Sequence, residues 1–213
     1  MENLIVRCSA LSKIMTKPRS KSEEISATTK SYLKELAKEQ FYGYQKQLDT
    51  PAIKKGLMME QESINLLNSV TFSSHKKNTE RKCSTWLTGE ADIVTKDTII
   101  DIKSSWSLET FPAFQEDAKE AIKKAGYEWQ LRGYMMLWEK PKAQITYCMV
   151  STPETFLKDW DNWKIHEVDH LEESSRITTV EIERDEEKEK EIIARYEIAN
   201  KYYQKYISEL KNK

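Results

Sequence analysis

A chain of 213 residues, 38% hydrophobic and 32% charged with a net charge of -1, is long enough for one substantial core and reads as a single soluble globular domain, 1–213. No apolar run reaches the length of a membrane span and the start MENLIVRCSALSKIMTKPR lacks the apolar centre of a signal peptide, so a cytoplasmic protein is expected. Cys8, Cys83 and Cys148 are too few and too scattered for a disulfide framework or a zinc or iron–sulfur cluster, and they read as reduced packing residues.

Charge is uneven along the chain, with residues 1–82 at +6 and the remainder at -7, which predicts a basic face. Its candidate runs are SKIMTKPRSK, Lys54 with Lys55, and HKKNTERK at 75–82; each is also compatible with ordinary solvated surface. In chain order, TKSYLKELAKEQFYGY (29–44) predicts a helix. TPAIKKGLMMEQESINLLNSV (50–70) predicts a second, with Pro51 in its first turn. At 100° per residue Ile53, Leu57, Ile64 and Leu67 form a stripe, with Glu60 inside it and Glu62 on the opposite side. Glu60 is therefore expected to face inward, where a carboxylate needs a lysine, a backbone cap or a metal.

GEADIVTKDTIIDIKSS (89–105) follows, two β-branched runs around a polar turn, and predicts a hairpin. With the turn centred on Lys96 and Asp97, Val94 pairs with Ile99 and Asp92 faces Asp101, their Cβ atoms ~5 Å apart. Lys103 shares the face of Asp101, while Ile100 and Ile102 point the other way into a buried side. Two carboxylates and an ammonium on one side of a sheet suit a divalent cation and a phosphate.

Residues 114–140 predict one or two helices, 143–151 and 177–183 predict strands, and a final helix from about Asp185 is expected to bury Ile192, Tyr196, Ala199, Tyr203, Tyr206 and Leu210. This order of helix, strand-rich centre and helix fits α/β or α+β. In YEWQLRGYMMLW, Gln130 shares an apolar face with Tyr127, Leu131, Tyr134 and Trp138. Its amide needs a partner there: Lys103, a metal-bound water, a phosphate oxygen or backbone. Tyr134 on the same stripe reads first as a core aromatic. HEVDH at 166–170 matches the HExxH zinc-hydrolase pattern (His166, Glu167, His170), but its flanks lack the amphipathic helix that motif needs.

An inward Glu, then Asp, then Asp-x-Lys on a hairpin, then Gln on the next helix resembles the PD-(D/E)xK nuclease superfamily. More closely, and nearly end to end, the chain resembles the phage lambda exonuclease or YqaJ-like viral recombinase family, through CSALSKIMTKPRS, KGLMMEQES, GEADIV, IIDIKSSW, WQLRGYM and VEIERDEE. The resemblance implies a restriction-endonuclease-like core with a central mixed sheet flanked by helices. A helical DNA-contacting part would span 1–50, the catalytic core 51–183 and a long C-terminal helix 184–213. It implies Mg²⁺-dependent hydrolysis of linear duplex DNA from a 5′ end, with Mn²⁺ as a substitute. Glu60, Asp92, Asp101 and the carbonyl of Ile102 would hold one or two ions, with Lys103 and Gln130 beside them. Ser9, Lys13, Lys17, Arg19 and Tyr134 would contact DNA. It further implies a ring-shaped trimer and a single-strand annealing partner in phage or prophage recombination. Two departures are visible: Asp101 stands where the family has Glu, and Arg7 is the only candidate for an arginine the family carries further upstream of the Ser. The rival readings are a PD-(D/E)xK endonuclease, a Cas4 or RecB-like nuclease, a catalytically inactive DNA-binding mediator and the zinc hydrolase.

Overall fold

The computed structural model describes residues 3–47 and 49–212. Its centre is a four-stranded mixed sheet in the order β4 (Ile93–Val94), β5 (Thr98–Ser104), β6 (Lys142–Cys148), β7 (Ile177–Glu183). β4 and β7 pair antiparallel with their neighbours, and β5 lies parallel to β6. A parallel pair needs a crossover, which α5 (Gln115–Ala125) and α6 (Tyr127–Trp138) supply. The break between these helices is Gly126 at φ 72°, a left-handed position where a Cβ would lie 2.5 Å from Ser12.

A second, small mixed sheet joins β1 (Val6–Arg7), β3 (Leu87–Gly89) and β2 (Lys82–Cys83), with β1 parallel to β3. It brings the N-terminal segment beside the entry to the hairpin. α7 (Glu186–Lys211) fastens the same segment. Asn200 accepts the Leu4 N–H at 3.0 Å, and the Tyr196 hydroxyl donates to the Leu4 carbonyl at 3.1 Å.

Both faces of the large sheet are covered, as expected around a parallel pair. Ile99, Ala143 and Ile145 face a core shared with α1 (Leu11–Met15), α2 (Ala27–Tyr42), α5, α6 and α7. Ile100, Ile102 and Cys148 face a smaller cluster with Ile64, Leu66 and Leu67. The expected face of α7 is correct: Ile192, Ala199 and Tyr203 are buried, and Tyr196, Tyr206 and Leu210 pack against them.

One element departs from expectation. The helix predicted over 50–70 is two, α3 (Pro51–Met58) and α4 (Glu60–Thr71), broken at Met59 (φ -98°, ψ 11°). Ile64 and Leu67 keep their buried places, but Ile53 and Leu57 are exposed, and Lys55 is the buried residue of α3. Gly56 weakens the helix near the break, and four interior acceptors for the Lys55 ammonium set the phase of α3 instead of its aliphatic stripe. The strand predicted over 143–151 ends at Cys148. HEVDH lies on turns, with His166 buried and His170 exposed, so the helix a zinc hydrolase needs is not formed. Among the described residues no helix is long and apolar enough to cross a membrane.

Candidate active site

Ile93 pairs with Ile100 and Val94 with Ile99, the register predicted for the hairpin, and one further step sets Asp92 opposite Asp101. β4 is only two residues long, so β5 has an unpaired edge beyond Ile100. There the Ile102 N–H donates to Asp92 Oδ2 at 2.6 Å instead of to a strand. A strand residue turns its N–H and C=O to the same neighbour, so the Ile102 carbonyl faces the same edge as Asp92.

Asp101 is 1% exposed. Its Oδ1 accepts from Gln130 Nε2 at 2.9 Å, and that amide also donates to the Tyr134 hydroxyl at 3.1 Å. The amide buried on the apolar face of α6 thus orients a carboxylate directly. Asp101 Oδ2 is buried and pairs with the Lys103 ammonium at 2.6 Å. Lys103 Nζ also stands 4.6 Å from the centre of the Tyr127 ring. Burial pulls the Lys103 pKa down, but the Asp101 and Asp92 carboxylates outweigh it and leave it above the ordinary lysine value. The Asp92 pKa is raised too, but here that disfavours the charge: burial first and Asp101 second push its carboxyl up to about 7, against a smaller pull from Lys103.

Glu60 opens α4 with its side chain 15% exposed, facing inward as its phase with Ile64 and Leu67 predicts; Glu62 is exposed. Its charge is felt at Asp92. Its carboxylate binds Lys77 at 2.6 Å, which raises the Lys77 pKa. Among the described residues no three acidic, His or Cys side chains converge as a ligand set. The residues nevertheless fit a hard divalent cation: Asp101 is buried with one cationic neighbour, Lys103, Asp92 is a carboxylate whose charge is disfavoured by burial and by Asp101, and all donors are oxygen. Glu60 would join them on leaving Lys77.

Beside this cluster lies a cleft of about 610 Å³ lined by Arg7, Ser9, Gln45, Arg81, Glu90 and Tyr134, among others. Tyr134 joins the two places, since its ring lines the cleft while its hydroxyl meets Gln130. Gly89 permits this approach, because a Cβ there would lie 2.7 Å from the Tyr134 ring. Tyr134 is therefore both a core aromatic and a cleft residue. Of the expected DNA contacts, Ser9 is in the cleft; Lys13, Lys17 and Arg19 are exposed and outside its lining, and Lys13 lies over the Tyr32 ring. Sequence reasoning passed over Lys77, Arg81 and Tyr127. The first two belong to the basic run 75–82, which marked the segment without showing that Lys77 meets Glu60 and Arg81 lines the cleft.

The chain superposes on the crystal structure of a phage related exonuclease from Haemophilus somnus 129PT with a TM-score of 0.91 and 38% sequence identity, covering 98% of this chain and 97% of that one. An alkaline exonuclease from Laribacter hongkongensis shares the fold at a TM-score of 0.72 and 17% identity, over 98% of this chain and 92% of that one. The structure of the same enzyme in complex with dAMP gives a TM-score of 0.67 at 16% identity, with the same coverage. No protein-family model and no curated protein matches the sequence.

Proposed function

The chain belongs to the lambda exonuclease, or YqaJ-like, family of exonucleases, and from that premise we propose that it is a Mg²⁺-dependent exonuclease that degrades linear duplex DNA from a 5′ end. The observation that supports this reading most is the pair of carboxylates Asp92 and Asp101 facing each other across a hairpin, with Asp101 buried and the Lys103 ammonium at its Oδ2. Asp92, Asp101, the Ile102 carbonyl and Glu60 would hold the ion. When bound, Mg²⁺ would supply Lewis-acid stabilisation of charge on the scissile phosphate and make a water easier to deprotonate.

The remaining chemistry belongs to the chain. Gln130 fixes Asp101 by its Oδ1, leaving Oδ2 for the site. Lys103 has no lone pair while protonated, and its raised pKa keeps it so. Its role is to orient the attacking water and to neutralise charge developing on the phosphate. Tyr127 covers the ammonium with a ring face and holds it toward the carboxylates. Water attacks phosphorus, the bond to the leaving 3′-oxygen breaks, and a 5′-phosphate mononucleotide departs. Arg7, Ser9 and Arg81 in the cleft would take a DNA phosphate, the terminal one being the natural candidate for a pocket one tyrosine away from the scissile site. Family membership extends the reading to a homo-oligomer acting in phage or prophage recombination beside a single-strand annealing protein.

The test separates chemistry from binding. Lys103→Ala should lower single-turnover cleavage of a linear duplex in Mg²⁺ by at least ~100-fold, the scale of losing one electrostatic stabiliser. Binding of the same duplex in Ca²⁺ should fall only modestly, because other basic groups also contact phosphates. A mutant cleaving near the wild-type rate would remove Lys103 from the mechanism.

A further inference from the structure

Lys55 has none of its surface exposed. Its three N–H groups are shared among four oxygens, the carbonyls of Ser105 at 2.6 Å, Trp106 at 3.1 Å and Val150 at 2.8 Å, and Thr152 Oγ1 at 2.8 Å. A neutral amine would bring two hydrogens and an unmatched lone pair to four oxygens, so the site calls for the charged form. Burial lowers its pKa to about 8, which leaves it charged at neutral pH. His166 Nδ1 lies 3.2 Å from the same Trp106 carbonyl and 3.1 Å from the same Thr152 hydroxyl, so the cage is braced from behind.

The position of this cage matters more than its depth. Ser105 and Trp106 follow the end of β5, directly after Asp101 and Lys103, and Val150 and Thr152 follow β6. Lys55 itself lies on α3, five residues before Glu60. On the far side of Glu60, Ser63 Oγ meets Ser104 Oγ at 2.8 Å and fastens the first turn of α4 to the same strand. Glu60 therefore sits at a helix break held by an anchor on each side, both reaching β5.

We propose that Lys55 is a positioning residue for metal binding: a resident cation that clamps α3 to the ends of β5 and β6 and so fixes Glu60 relative to Asp92 and Asp101. This rests on the metal-dependent reading above. A metal ligand set that spans two elements is only as well defined as the joint between them, and outer groups that orient ligands change metal affinity by ~10- to 100-fold when removed.

The experiment compares Lys55→Met with Leu33→Ala, a change in the main core under α2, which holds neither Lys55 nor Ser63, by two readouts. In metal-free protein, hydrogen exchange is followed at the Ser63 and Ile64 amides. In the second, the Mg²⁺ midpoint is taken from thermal stabilisation. Lys55→Met should speed exchange at those amides and raise the Mg²⁺ midpoint by ~10-fold or more, while Leu33→Ala lowers the melting temperature without moving the midpoint. In Lys55→Ala, added n-propylammonium, which matches the atoms removed, should bring the midpoint back toward wild type. Wild-type exchange and a wild-type midpoint in Lys55→Met would overturn the proposal. If Lys55→Met does not fold, Thr152→Val removes one acceptor and should shift the midpoint the same way by a few-fold; no shift there overturns it equally. If Mg²⁺ fails to stabilise even the wild-type protein, the functional reading falls, and the exchange result alone decides whether the clamp exists.

Discussion

Two carboxylates facing each other oppose folding, and the Lys103 ammonium beside them does not offset the burial and repulsion felt at Asp92. Its folded pKa of about 7 stands above the ordinary 3.8, so the native state holds that proton more tightly than the unfolded chain does. The stability this gives is complete below about pH 4 and is lost as pH rises through 7. In EDTA, Asp92→Asn should therefore flatten the fall in melting temperature between about pH 4 and pH 7 and raise it at pH 8 by at least ~3 °C. Millimolar Mg²⁺ or Mn²⁺ should stabilise the wild-type protein at pH 8, more so at higher metal concentration, and leave Asp92→Asn nearly unmoved. A wild-type melting temperature indifferent to both ions would count against the site. Arg7 carries a second prediction, since it lines the cleft with Ser9 and Arg81. Arg7→Gln should weaken the preference for a 5′-phosphorylated over a 5′-hydroxyl duplex by roughly tenfold, the scale of one charged hydrogen bond. An unchanged ratio of the two rates would take the cleft out of end recognition.

Among the elements, the hairpin was the most legible from sequence and the helix before it the least. β-branched runs flanking a polar turn fix register because a slip of one residue would exchange every face, and Ile93, Ile100 and Ile102 accordingly sit in the small core. The break at Met59 was hidden because Ile53 and Leu57 continue the apolar period of α4 into α3, whereas the hydrogen bonds of Lys55, made to residues 50 to 97 positions away, decide the phase of α3. The inward Glu60 survives because its phase with Ile64 and Leu67 lies within α4. Glu60→Gln should abolish hydrolysis and Glu62→Gln should leave it nearly intact. Equal losses, or the reverse order, would mean that the first turn of α4 does not serve the site.

For the whole molecule, the site depends on joining segments that are distant in the chain. The proposed catalytic face comes from residues 60 to 134, but the cleft beside it is completed by Arg7 and Ser9, held there by β1 against β3 and by α7 through Tyr196 and Asn200. Periodicity reports which face of an element is buried, not which distant loop it meets, so the pairing of Arg7 with Arg81 across one cleft was not readable. A basic cleft beside the carboxylates suits the terminal phosphate of a chain end, so DNA with and without ends should be treated differently. The measurement is digestion of 5′-labelled linear duplex and of covalently closed circular duplex by the wild-type protein, in Mg²⁺ and in EDTA. Mononucleotides should be released from the linear DNA in Mg²⁺ alone, with the closed circle intact; cleavage of the circle, or degradation of linear DNA undiminished by EDTA, would contradict metal-dependent exonuclease action.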